Sequence, residues 1–116
     1  MTSIGWRLHH IAGCNWIYVE HAFGRGRLGF PDLQVHGTAD AALRDWQASR
    51  EALSAWLDSA EDADLIEDCP TPLGGPLTAS EIVRILVDEQ THHGAEIALL
   101  RDLCRRRHSY RAGPPR

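Results

Sequence analysis

Apolar residues recur at three- and four-residue spacing in three separate stretches of the chain, the periodicity of helices with one buried face. In the first, from about Ser3 to Phe23, Ile4, Leu8, Ile11, Tyr18 and Ala22 share a face, with Cys14 and Val19 at its margins. Gly5 and Gly13 weaken that helix by about 1 kcal/mol each. The second runs from Thr38, a suitable N-cap, to Ser59, with a stripe of Leu43, Trp46, Leu53, Trp56 and Leu57. The third runs from Thr78 to Arg107 and carries Ile82, Ile85, Leu86, Leu99, Leu100 and Leu103. Thr78 and Glu81 have capping-box spacing, and Arg101, Arg105, Arg106 and Arg107 suit the negative pole at the other end.

The segments between have loop chemistry. Glycine and proline punctuate Gly24 to Gly37, and loops of that length are usually functional or mobile. Its Arg25 and Arg27 suit an anionic substrate or serve solubility alone. The Gly-x-Gly spacing is no nucleotide fingerprint, since no strand precedes it and no helix opens from it. Glu61 to Gly75 is acidic and then proline-rich, so it cannot be helical. Residues 108–116 are expected to be a disordered tail. The pattern predicts an all-α bundle, one domain over residues 1–107, with helices at about 3–23, 38–59 and 78–107 and no convincing strand. Broad stripes on the first and last helices imply more than one neighbour each. The chain closes as a short three-helix bundle, or a second copy supplies a wall, or the sequence lacks its beginning.

Composition narrows the function. At 116 residues and a net charge of −4 the chain is one small acidic domain, which argues against a nucleic-acid partner. No apolar run approaches the roughly 20 residues that cross a bilayer, and no signal peptide is visible. Cys14, Cys69 and Cys104 are widely spaced without a Cys-x-x-Cys, so a reduced, cytoplasmic chain without a disulfide is expected.

The chemistry lies in the third helix, where Asp88-Glu89-Gln90-Thr91-His92-His93-Gly94-Ala95-Glu96 interrupts the apolar stripe. Residues four apart stack on one helix face, so Asp88 pairs with His92 and Glu89 with His93. A carboxylate beside an imidazole suits a divalent metal such as zinc or nickel. The same spacing also suits a solvated ion pair worth about 0.2–0.5 kcal/mol. A third ligand would come from His10, on the flank of the first stripe beside Trp6, Cys14 and Ile17, whereas His9 faces nearly opposite and is expected to be wet. His21 lies about three turns from His10, too far to share an ion with it.

Ser-Ile-Gly-Trp-Arg-Leu-His-His-Ile-Ala-Gly near the start and Asp-Glu-Gln-Thr-His-His-Gly-Ala-Glu-Ile-Ala-Leu-Leu-Arg-Asp-Leu in the last helix resemble the DinB-like superfamily over roughly residues 3–107. That superfamily includes the bacterial mycothiol-dependent maleylpyruvate isomerases and related thiol transferases. The resemblance implies an up-down-down-up four-helix bundle whose metal is held by one histidine of the second helix and a pair from a later helix. By position these are His10, Asp88 and His92, with Asp88 where the family usually has His or Glu. The family's first helix normally precedes Ser-Ile-Gly-Trp, where this chain has two residues, so the bundle is expected to lack a wall and to form a homodimer. Helical phase sets Glu89, His93 and Glu96 nearer the centre of the apolar face, which keeps Glu89 and His93 as alternative ligands or as a buried hydrogen-bonded network. The flank set His10, Asp88 and His92 is the expectation taken, because two flanks can converge on one seam.

Three functions follow from the resemblance. One is metal-dependent transfer or isomerisation of a small molecule with a thiol cofactor such as mycothiol. The second is a non-catalytic metal-binding stress or interaction protein. The third is a truncated, inactive family member.

Overall fold

The computed structural model describes residues 3–111 and has three long helices, α1 (Ile4–Phe23), α2 (Ala39–Ser59) and α3 (Ala79–Arg111). The fold is an all-α bundle, as the periodicity predicts. A two-residue antiparallel pair, β1 (Asp68–Cys69) with β2 (Leu77–Thr78), is a small addition that the sequence pattern does not reveal.

Each helix begins where its capping residue puts it. Ser3 Oγ accepts the Trp6 N–H at 3.1 Å, and Thr38 Oγ1 accepts the Ala41 N–H at 3.2 Å. At α3 the capping box forms: Thr78 Oγ1 accepts from Glu81 N–H, and the Glu81 carboxylate accepts from Thr78 N–H at 2.8 Å. That contact holds the Glu81 carboxyl below the usual carboxylate range. The other end of α3 runs four residues past the expected boundary at Arg107. No glycine or proline stops it before Gly113, and His108 and Ser109 hydrogen-bond the carbonyls four residues back. The remainder of the expected tail, 112–116, lies outside the described residues.

Side-chain pairs set the directions. Trp16 meets Asp45, Asn15 meets Ser49, and Phe23 stacks on Trp56 with ring centroids 3.9 Å apart, so α1 and α2 run parallel. Arg7 meets Glu96 while Cys14, Tyr18 and Ala22 pack with Ala79, Ile82 and Leu86, so α3 runs antiparallel to α1.

Parallel neighbours need a crossover, and Gly24 to Thr38 is that connection. The Glu20 carboxylate gathers the N–H groups of Arg25, Arg27 and Leu28, which lowers its pKa, and His21 donates to the Leu28 carbonyl. Farther along, Leu33 lies so close to Gly13 that a Cβ there would come within 2.6 Å of Leu33 Cδ1. The helix-weakening glycine is thus a close-approach site. His36 Nε2 ends the crossover 3.0 Å from Asp45 Oδ2.

The core is Cys14, Cys69, Ala79, Ile82 and Leu86, with Tyr18, Phe23, Leu53 and Trp56 packed around it. A polar network crosses all three helices beside it. Asn15 donates to Ser49 Oγ, Trp46 Nε1 donates to Gln90 Oε1, and the Gln90 amide donates to Asn15 Oδ1 and the Ile11 carbonyl. These polar groups are satisfied by one another, as burial requires. Leu99, Leu103 and Tyr110, beyond the packed part of α3, stand exposed. Leu43 and Leu57 on α2 are also partly open, so its stripe is narrower in the structure than in the sequence.

Candidate metal centre

α1 lies over the middle of α3, and that docking decides which of the paired residues meet. His10 Nε2 lies 2.8 Å from Glu89 Oε2, and His93 Nε2 lies 3.2 Å from the same oxygen. The two imidazoles are edge-on at 4.7 Å between centroids. Cys14, one turn after His10, brings its Sγ to 3.6 Å from His10 Nε2. His10, Cys14 and Glu89 thus offer donor atoms all within 4.8 Å of one another.

The expected flank set does not gather. His10 reaches the central alternatives Glu89 and His93, not Asp88 and His92. Asp88 is exposed, in a shallow hollow lined by Leu77, Glu81, Arg84 and Ile85. His92 has a side chain 69% exposed and turns to Glu96 Oε1 at 2.7 Å, whereas the His93 side chain is 15% exposed. The physical reason is the seating of α1 over the centre of the α3 stripe; about 100° of helical rotation per residue turns Asp88 and His92 away.

Around this cluster other side chains fix its members. Arg7 is paired to Glu96 Oε2, and that oxygen also sits 3.2 Å from His93 Nδ1. Arg7 first, then His93, hold the Glu96 carboxyl down at about 2. A neutral His93 donating from Nδ1 keeps its lone pair on Nε2, the nitrogen beside Glu89. Trp6 covers the outer side, stacked on His10 at 5.1 Å with a 9° interplanar angle and edge-on to His93. Burial, and secondarily the Glu89 carboxylate, push the Cys14 thiol up to about 11.

The His10–Glu89 and Glu89–His93 separations are compatible with a divalent ion. Bonds of about 2.0–2.1 Å in a tetrahedral site put nitrogen and oxygen ligands about 3.3 Å apart. The observed separations of 2.8 and 3.2 Å are near that value. The second cluster, His92, His93 and Glu96, fits less well, because its one carboxylate is already neutralised by Arg7. A cleft of about 600 Å³ is lined by Trp6 with Ile4, Leu8, His9, Val35 and His36 among others. His9, expected to be wet, is half-buried in that wall.

Sequence reasoning set Cys14 beside His10 and Glu96 near the centre of the apolar face without giving either a role, and it passed over Arg7. The signal for Cys14 was present, since His10 and Cys14 are four apart on one helix. Arg7 and Glu96 lie on different helices, and no spacing rule joins them.

A family model described as the DinB superfamily matches residues 1–97. No curated protein and no solved structure matches the chain.

Proposed function

Since the chain belongs to the DinB superfamily, we propose that it binds one divalent metal ion, zinc or nickel, between α1 and α3 through His10, Glu89 and His93. The observation that carries this reading is the convergence of both imidazole Nε2 atoms on the single oxygen Glu89 Oε2, at 2.8 and 3.2 Å. Two helices adjacent only through packing place three ligand-type side chains together. Glu96 at His93 Nδ1 adds the carboxylate that commonly orients a metal-binding histidine. Trp6 shields the imidazole pair from water on one side.

A metal held here would supply Lewis acidity and lower the pKa of a bound water or thiol. Arg7 and Glu96 position His93, and Trp6 fixes the His10 ring by stacking on it. Transfer chemistry with a low-molecular-weight thiol such as mycothiol would draw its substrate from the cleft, which Trp6 lines and none of the three donors does. Transfer chemistry needs a vacant coordination position. A non-catalytic centre needs none, so the number of protein donors separates the two.

Zinc added to the chelator-treated protein should raise its melting temperature and bind once per chain. Uptake should weaken below about pH 6, where protons compete for the imidazoles. A melting temperature unmoved by zinc and nickel would end the proposal.

A further inference from the structure

Cys14 is a side chain with ligand chemistry at the α1–α3 seam that the three-residue set leaves unused. Its Sγ is 3.6 Å from His10 Nε2 and belongs to the same close group as Glu89. Four residues separate it from His10 on α1, so the helix itself fixes the pair in register. Its residue is 7% exposed, so the sulfur faces the seam and not solvent. A tetrahedral ion with metal–sulfur and metal–nitrogen bonds of about 2.3 and 2.05 Å separates sulfur and nitrogen by about 3.5 Å. The structure already holds them at that spacing.

We propose that Cys14 is a fourth protein ligand, as thiolate, to the ion held by His10, Glu89 and His93. The inference rests on the metal reading above and sharpens it. On coordination a metal–sulfur bond forms, the S–H bond breaks and its proton passes to solvent. Four protein donors of the type Cys-His₂-Glu close a tetrahedral sphere, the arrangement of structural rather than catalytic zinc. The ion then clamps α1 to α3 and leaves no position for a substrate. A sulfur donor also biases the site toward zinc and cobalt over harder ions such as magnesium and manganese.

Cobalt(II) titrated into the metal-free full chain separates the two levels of this account. The expected spectrum has visible d–d bands of tetrahedral cobalt and a thiolate-to-cobalt charge-transfer band in the near ultraviolet. Cys14→Ser should lose the charge-transfer band and keep the d–d bands, whereas Cys69→Ser and Cys104→Ser should keep both. Visible bands without charge transfer in the wild type, or charge transfer that survives Cys14→Ser, would overturn the thiolate ligand and leave the ion in place. No visible bands at all would overturn both. Because Cys14 is buried and its variant can misfold, zinc-edge X-ray absorption of the wild type gives an independent count. One sulfur at about 2.3 Å is expected, and none would reject the ligand.

Discussion

Adjacent residues of α3 have opposite fates. Leu86 is fully buried and Val87 is 54% exposed. Glu89 touches His10 while Asp88 lies in an open hollow. His93 faces the seam with α1 while His92 stands in solvent. Each pair has like chemistry and the same four-residue spacing, so residue type does not separate them, and helical phase says only that Glu89 and His93 lie nearer the centre of the stripe. What separates them is where the axis of α1 crosses, and that is decided by packing: Cys14, Tyr18 and Ala22 seat against Ala79, Ile82 and Leu86. The candidate site is therefore a consequence of the core one turn away.

The largest effect should come from the core pair. Leu86→Ala is expected to destabilise by about 2–5 kcal/mol, and Val87→Ala by no more than about 0.5 kcal/mol, in denaturant unfolding. Comparable losses would mean that Val87 is covered and that the two faces are not distinct. Next comes the pair Gln90 and Thr91. Gln90→Ala leaves Trp46 Nε1 and Asn15 Oδ1 without the Gln90 amide, which should cost about 1–3 kcal/mol, while exposed Thr91→Ala should be near neutral. A neutral Gln90→Ala would show that the network across the three helices contributes nothing net.

The smallest effect tests the outer face through Glu81. Its folded pKa is lowered, so its contribution to stability is full above its unfolded pKa, about 4.3, and is lost as pH falls through the lower folded value. Wild type should lose stability relative to Glu81→Gln as pH drops below about 4.3, because glutamine keeps an uncharged cap. Parallel pH profiles of the two melting curves would show that the capping carboxylate is not perturbed.

Much of the fold was legible in the sequence. Thr78 and Glu81 marked the start of α3, the stripes marked all three helices, and Gly24 to Gly37 read as a long connection. The direction of that connection was not legible. Nothing in Leu33 or Gly13 taken singly says that they touch, yet their contact carries the crossover back along α1. The site was legible to the level of its helix and its residue types. His10, Glu89 and His93 were all in view, and the choice between Glu89/His93 and Asp88/His92 was one of phase. Helical phase favoured Glu89 and His93 and the family resemblance favoured the flank pair; His10 lies against the pair that phase favoured. Among the described residues no helix is long and apolar enough to cross a bilayer.

The central claim is that the ion sits on the inner face of α3, and the histidine doublet tests it most directly. Calorimetric titration of zinc into wild type, His92→Ala and His93→Ala compares two neighbours with identical chemistry. One site per chain is expected in wild type and in His92→Ala with similar affinity, and a loss of about a hundredfold or more in His93→Ala, beyond what loss of an orienting partner costs. Zinc binding that survives His93→Ala and disappears in His92→Ala would place the ion on the outer flank and contradict the account.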